Sequence, residues 1–139
     1  EMGRRMAVSK QGEKRRIVSA VDVWELMRPR YAHERDELFE VLLLGGRNDL
    51  LAIRTIAIGS RDACLVRKAE VFRQAFLEGA SRLILVHNHP SGDPSPSEQD
   101  LEMTREAVRG GRCIGIEVLD HVIVASSGYS SLRESACFA

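Results

Sequence analysis

The 139-residue chain carries 20 basic and 20 acidic side chains, so its formal net charge is zero with the four histidines neutral. Apolar residues make up 44% of the chain and charged residues 29%, which is typical of one soluble domain and excludes a disordered or collagen-like chain. Its apolar runs are far shorter than the roughly 20 residues of a membrane-spanning helix, and no secretory signal is present, so no membrane partner is expected.

The basic residues are unevenly placed. Residues 1–16 hold six of them against two acidic residues, so the balanced total separates into a basic N-terminal arm or linker and a mildly acidic body at residues 17–139. Such an arm can contact DNA, although a solvated terminus is the commoner case. The three cysteines, at positions 64, 113 and 137, favour reduced thiols in a cytoplasmic protein. The chain begins with glutamate and not methionine, so we expect a longer parent.

The first half of the chain predicts one short helix and a β-hairpin. A Ser-Ala-Val-Asp capping box precedes apolar positions at helical spacing, and Pro29 stops the pattern, so a helix is predicted over residues 20–28. Two runs rich in Val, Leu and Ile, at residues 37–44 and 50–58, flank a Gly-Gly-Arg-Asn-Asp turn. These two runs predict the strands of a hairpin.

The second half alternates helices and strands without an internal repeat. The prolines of residues 88–96 make that segment a rigid loop. Around it, hydrophobic periodicity and helix-capping residues define the other elements. The predicted elements are a helix at 69–80, a strand at 82–87, a helix from Ser97 to about 110–111, and strands at 114–125 and 129–132. The whole pattern indicates one α/β domain over residues 17–139.

Two histidines and an aspartate form the strongest chemical pattern. His87 and His89 are two residues apart at the end of an apolar strand, where a period of two points both side chains to the same side. Asp100 follows at the third position of the helix capped by Ser97, and the proline-rich loop can fold that helix start over the strand end. Two imidazoles and one carboxylate therefore predict a metal site.

Zinc suits that ligand set. A catalytic zinc ion usually has three nitrogen or oxygen ligands from the protein and a fourth position for water. Bound water falls in pKa from about 15.7 to near 7, so hydroxide becomes available at neutral pH. A nearby carboxylate is then needed as base and proton shuttle. The sequence predicts one Zn²⁺ per chain, held by His87, His89 and Asp100.

The motif resembles a known family. The run His-Asn-His-Pro-Ser-Gly-Asp-Pro at residues 87–94, followed by Ser97 and Asp100, is similar to the JAMM metallopeptidase motif of the MPN superfamily in its bacterial RadC branch. Leu-Asp-His-Val-Ile at residues 119–123 also resembles that branch, and the similarity extends over about residues 17–134. It implies a single MPN/JAMM-type domain with a mixed β-sheet flanked by helices, an architecture like that of cytidine deaminase.

The resemblance also implies two catalytic residues. The family places a glutamate at the start of a strand before an apolar run, and Glu37 matches that position. Glu40 is the runner-up, but strand parity puts it on the opposite face from Glu37, Phe39 and Val41. In the family's pattern, the serine matching Ser97 steadies the tetrahedral oxyanion, while the same residue serves here as a helix cap.

Two functions remain open at this point. The first is zinc-dependent hydrolysis of an amide, peptide or isopeptide bond in an unidentified polypeptide substrate. The second follows from the RadC branch's label as a DNA repair protein: a nucleic-acid-binding or nuclease-like factor, with DNA contacted through the arm. A homodimer stays open as the assembly. A deaminase is excluded because His-x-Glu and Pro-Cys-x-x-Cys do not occur. His121, alternating with Leu119 and Ile123, is interpreted as a structural or supporting residue.

Overall fold

The computed structural model describes residues 15–59, 67–135 and 138. Within them the chain forms three helices and five strands. In chain order these are α1 (Ala20–Tyr31), β1 (Leu38–Leu44), β2 (Leu50–Ile58), α2 (Lys68–Glu78), β3 (Arg82–Asn88), α3 (Glu98–Ile114), β4 (Glu117–Ala125) and β5 (Gly128–Ser131). Nearly all of the basic arm and two of the three cysteines, at positions 64 and 137, lie outside the described residues.

The strands form one sheet in the order β2-β1-β3-β4-β5. β3 and β4 pair in parallel, while the other neighbours are antiparallel, as expected for a hairpin at each end of the sheet. The connection between the parallel strands contains the proline-rich loop and α3. The predicted α/β domain with a mixed sheet is therefore confirmed.

Each face of the sheet is covered by helix. α1 packs on one face against β4 and β5, whereas α2 and α3 cover the other face. Alternation along β1 divides its side chains between the two cores: Val41 and Leu43 pack with α2 and α3, and Leu42 and Leu44 with α1. Both faces of β1 are buried, which explains why the sequence of this strand is almost continuously apolar.

Three predicted helix ends are wrong. α2 stops at Glu78 and not at residue 80, because Gly79 is left-handed with a φ of 70°. The other two helices run further than predicted, because burial overrides a local breaker. α1 continues through Pro29 to Tyr31, since the proline lies in the last turn and Tyr31 is buried against the sheet. α3 continues through residues 110–111 to Ile114 and ends at Gly115, whose φ of 80° is left-handed. β4 accordingly begins at Glu117 and not at residue 114.

Gly111 has a packing role in place of the predicted helix-ending one. A Cβ atom at this position would lie 2.2 Å from the carbonyl oxygen of Ile116. The glycine therefore lets α3 approach the chain that leads into β4. None of the helices among residues 15–59 and 67–135 is long and apolar enough to cross a membrane.

Candidate metal centre

The predicted histidines meet at the end of β3. His87 belongs to the strand, is fully buried and stacks on the ring of Phe39 at 5.7 Å between centroids. His89 is the first residue after the strand, and its side chain is 18% exposed. The two Nε2 atoms are 3.0 Å apart. The period of two thus places both rings on one side, as predicted.

Glu37 reaches the same point from the residue before β1. Its Oε2 atom lies 3.6 Å from Nε2 of His87 and 3.5 Å from Nε2 of His89. Ligand atoms of these three residues all lie within 4.8 Å of one another, close enough to share one ion. Glu40, the runner-up, lies on the opposite face of β1, where it bonds to Arg30. Parity therefore separates the two glutamates as the sequence indicated.

Asp100 approaches from the first turn of α3. Its Oδ1 lies 3.6 Å from Nε2 of His87, and its Oδ2 lies 3.9 Å from Nε2 of His89. The same carboxylate accepts a hydrogen bond from the Ser97 N–H at 2.9 Å, while the Ser97 hydroxyl accepts from the Asp100 N–H at 3.0 Å. The capping box thus fixes Asp100 against the histidines, although Asp100 is not part of the three-residue set formed with Glu37.

The hydrogen bonds on the far side of each ring determine where the imidazole protons lie. Nδ1 of His89 is 2.8 Å from the carbonyl oxygen of Asp93, and a carbonyl can only accept, so this nitrogen carries the proton. Nε2 of His89 therefore presents a lone pair toward His87. Among metal-ligating histidines a backbone carbonyl on the second nitrogen is a usual partner.

The proton on His87 is fixed by a longer chain of partners. The Thr104 hydroxyl donates to the carbonyl oxygen of Asp100 at 2.6 Å, so it accepts from Nδ1 of His121 at 2.5 Å. Nε2 of His121 is then an acceptor, and it lies 2.9 Å from Nδ1 of His87, which must donate. His87 consequently also presents its Nε2 lone pair to the shared point.

With both rings neutral, two imidazole nitrogens and two carboxylates converge as acceptors on one point. The two nitrogens, 3.0 Å apart, need a proton or a metal ion between them. Tetrahedral zinc with ligands at about 2.0–2.1 Å would hold donor atoms about 3.3 Å apart. The separations between the imidazole nitrogens and the carboxylate oxygens, 3.5 to 3.9 Å, fall near that value. The donor set fits a divalent metal of the zinc type.

Comparison with known proteins identifies the family. The family model described as RadC-like JAB domain matches residues 17–137. The chain belongs to this family. Among its relatives, a UPF0758 protein of Caldanaerobacter subterraneus subsp. tengcongensis is 44% identical over 99% of this chain and 59% of its own length. A UPF0758 protein of Methanosarcina acetivorans is 42% identical over 96% of this chain and 58% of its own. The resemblance to the RadC branch is confirmed.

The RadC-like JAB domain is shorter than these relatives. It spans a little under three-fifths of the length of the two proteins above, and 48% of the length of a UPF0758 protein of Symbiobacterium thermophilum that is 48% identical over 81% of this chain. The names of these relatives state no activity. The family and the fold are thus established, and the reaction must be argued from the site.

The candidate metal centre of this RadC-like JAB domain opens to a cleft of about 360 Å³. Its lining residues are Glu37, His89, Pro90, Ser91, Ser97, Gln99 and Asp100. Ser97 is the N-cap of α3, so the positive end of the helix dipole lies beside the cleft and adds positive potential there. A negatively charged or polarised oxygen is the group that this wall would stabilise.

Asp100 and His121 differ in charge near pH 7, because their surroundings shift their pKa values. Burial acts to raise the pKa of the Asp100 carboxyl, but its contacts with His87 and the Ser97 N–H outweigh burial and hold that pKa below its ordinary value. Burial lowers the pKa of His121 well below its ordinary value, and His87 acts in the same direction. Asp100 is therefore ionised and His121 neutral near pH 7.

The sequence missed one supporting residue, Thr104, and left another, His121, without a named partner. The predicted alternation of His121 with Leu119 is wrong, because a register shift in β4 puts Leu119 against the α1 core and His121 against His87. A histidine in a buried strand was the available signal for His121, and nothing in the sequence indicated Thr104.

Proposed function

We propose that this domain is a zinc-dependent hydrolase that cleaves an amide bond, of the peptide or isopeptide kind, in a polypeptide. The observation that carries the proposal is the pair of imidazole nitrogens 3.0 Å apart, with two carboxylates facing them beside a cleft. Nitrogen and oxygen donors of this kind are the ligands of catalytic zinc sites. Membership of the JAB family adds support.

His87, His89 and Asp100 are the proposed ligands. Zinc bound by them would supply an activated water at neutral pH and polarise the carbonyl of the scissile bond. The protein's contribution is to hold both imidazoles in one tautomer through Asp93, His121 and their partners. Because the ligands are fixed before binding, little rearrangement is needed to form the site.

Glu37 is the proposed base and proton shuttle. Its side chain is 19% exposed and borders the cleft, so its Oε2 can reach a water molecule there as well as the leaving group of a substrate. It would accept a proton from the attacking water and pass that proton to the departing amine nitrogen. The Ser97 hydroxyl and the start of α3 would stabilise the oxyanion that forms at the carbonyl.

The alternative, a nucleic-acid-binding or nuclease-like factor, gains no observation from residues 15–59 and 67–135. Those residues form a domain with a cleft beside the candidate metal centre. The basic segment that suggested DNA contact lies almost wholly outside them. Sequence-independent DNA binding depends on such clustered positive charge. We therefore keep the hydrolase as the single proposed function.

Metal analysis of the purified protein tests the proposal. We expect about one zinc per chain after equilibration with Zn²⁺ and dialysis, measured by plasma mass spectrometry. The double variant His87→Ala, His89→Ala should lose it, whereas His33→Ala, which removes an exposed imidazole, should keep it. Equal zinc content in the double variant and the wild type would refute the site.

Activity needs a separate experiment because the substrate is unidentified. Cells producing wild-type protein and cells producing Glu37→Gln protein would be compared by quantitative mass spectrometry of new peptide termini and of isopeptide-linked remnants. Products that depend on Glu37 would identify the substrate class. A zinc-loaded protein whose presence changes no terminus or linkage relative to Glu37→Gln would contradict amide hydrolysis.

A further inference from the structure

Asn88 lies between the proposed ligands His87 and His89 in the sequence, but its side chain does not contact them. It is the last residue of β3, is 3% exposed, and lies on the opposite face of the sheet from His87. A buried amide has two donors and an acceptor to satisfy. The positions of its partners show what this side chain does.

Both partners of Asn88 are backbone groups that flank Glu37. The Leu38 N–H donates to Oδ1 of Asn88 at 2.6 Å, and Nδ2 of Asn88 donates to the carbonyl oxygen of Asp36 at 3.0 Å. A third bond holds Glu37 itself, since its carbonyl oxygen accepts from the Gly59 N–H at 2.7 Å. The backbone is thus fixed on each side of the glutamate as well as at it.

The sheet needs this amide because its ladder ends just before Glu37. β1 and β3 pair from Leu44 with Arg82 to Phe39 with His87. Beyond that pair the chain turns toward β4, where the His89 N–H donates to the carbonyl oxygen of Val124 at 2.9 Å. The segment leading into β1 therefore has no β3 peptide group beside it. The Asn88 side-chain amide takes the place of that peptide group.

We infer that Asn88 is a positioning residue that holds Glu37 over the metal centre. The inference rests on the proposed function, because it assigns a purpose to the placement of Glu37 as base. The Glu37 side chain is partly exposed and has rotamer freedom of its own, so the backbone must be fixed for Oε2 to remain 3.5–3.6 Å from the two imidazole nitrogens. Neither Asp nor Ala can supply the donor and the acceptor together.

Acetohydroxamic acid is a suitable probe that needs no known substrate. To bind a zinc ion as the hydroxamate anion it must give up one proton, and a carboxylate placed like that of Glu37 is the acceptor. Zinc affinity would be measured by competition with a chromophoric chelator, and hydroxamate affinity by calorimetry on the zinc-loaded protein. The variants are Asn88→Asp, which keeps the side-chain volume, Asn88→Ala and Glu37→Gln, with Gln74→Ala on α2 as the matched loss of an amide away from the site.

We expect both Asn88 variants and Glu37→Gln to bind hydroxamate about tenfold more weakly than the wild type, with zinc affinity unchanged, and Gln74→Ala to match the wild type. Combining Asn88→Asp with Glu37→Gln should weaken binding no further than Glu37→Gln alone, a coupling that a merely structural role would not produce. Hydroxamate affinity in the Asn88 variants equal to that of the wild type would overturn the inference and leave the proposed function standing. A parallel loss of zinc affinity would also overturn it, and a wild type that binds no zinc would overturn both.

Discussion

Glu37 and Glu40 are three residues apart and end in opposite environments on the two faces of β1. Glu40 is fully buried and accepts from both Arg30 Nε at 2.8 Å and Arg30 Nη2 at 2.7 Å, from the Tyr31 hydroxyl at 2.9 Å and from the Thr55 hydroxyl at 2.6 Å. Glu37 instead faces two imidazole nitrogens that present lone pairs. We call the first group of residues the closed cluster and the metal centre with Glu37 the open cluster.

The two clusters differ in whether the protein itself supplies a partner for each carboxylate. In the closed cluster every acceptor has a donor and the charges cancel within the protein, so nothing further is needed. In the open cluster two imidazole nitrogens and two carboxylates meet at one point, and a metal ion would bind all of them together. Substitutions in the closed cluster should therefore change stability, whereas those at the proposed ligands of the open cluster should change metal binding.

The largest expected effect is on the open cluster. Asp100→Asn keeps an oxygen that can cap the Ser97 N–H but removes the charge of the carboxylate. Because loss of an outer partner of a ligand already costs about 10–100-fold in metal affinity, loss of a ligand should weaken zinc binding by more than about 100-fold, as measured by chelator competition.

Glu37→Gln is the matched control for that prediction. As a base and not a ligand, Glu37 should leave zinc affinity within a few-fold of the wild type, while the Glu37-dependent products disappear. The opposite result, with zinc lost in Glu37→Gln and retained in Asp100→Asn, would reassign the ligands to Glu37, His87 and His89, the set whose donor atoms all lie within 4.8 Å of one another.

Next in size is a change to the closed cluster. Arg30→Ala leaves the Glu40 carboxylate buried without its countercharge, so the free energy of unfolding should fall by about 3 kcal/mol in urea titrations, with zinc affinity unchanged. Replacing both residues, by Arg30→Met with Glu40→Gln, removes the buried charge and should restore most of that loss. A double variant no more stable than Arg30→Ala would contradict this explanation.

The closed cluster should also give the protein an acid-sensitive contribution to stability. Burial alone would raise the pKa of Glu40, but its bonds with Arg30 and Thr55 outweigh burial and lower that pKa below the ordinary 4.5. This contribution is fully present above pH 4.5 and is lost as the pH falls through the lowered value. The difference in unfolding free energy between wild type and Glu40→Gln should accordingly shrink over that acid range, and a constant difference would be evidence against it.

A smaller effect is expected at His121, which contacts the proposed ligand His87 on the side away from the metal centre. His121→Phe fills a similar volume but removes the acceptor for the Nδ1 proton of His87, so zinc affinity should fall about 10–100-fold. His121→Gln offers a carbonyl oxygen as a substitute acceptor and should recover part of the loss. Phe and Gln variants with the affinity of the wild type would show that His121 does not fix the tautomer of His87.

The sequence alone brought His87, His89 and Asp100 together because those predictions rested on local spacing. The offset of two between His87 and His89 in a strand, the offset of three between Ser97 and Asp100 at a helix start, and the strand parity that separates Glu37 from Glu40 are short-range rules. The overall α/β domain followed from the same periodicities. Only the family resemblance, and not spacing, linked Glu37 to the histidines.

What the sequence could not supply depends on contacts between distant elements. The pairing of His121 with Thr104 needs the register shift that offsets Val118 and Asp120 against Leu83 and Ile84 of β3. The helix ends at Tyr31 and Ile114 needed knowledge of which residues the sheet buries. Local breakers such as proline and paired glycines give only a weak preference when tertiary packing opposes them.

The smallest expected effects come from two threonine hydroxyls, that of Thr104 behind the open cluster and that of Thr55 in the closed cluster. Together they test the comparison most directly. Thr104→Val removes the acceptor of the His121 Nδ1 proton, so His121 can adopt either tautomer and zinc affinity should fall by about tenfold or less. Thr55→Val makes the same isosteric change beside Glu40 and should lower the free energy of unfolding by about 1 kcal/mol without altering zinc affinity. Chelator competition should therefore show weaker zinc binding only in Thr104→Val. Urea titration should show the larger loss of unfolding free energy in Thr55→Val. If each variant changed both quantities equally, the two faces of β1 would be one coupled network, and the distinction between a structural and a functional carboxylate would fail for this protein.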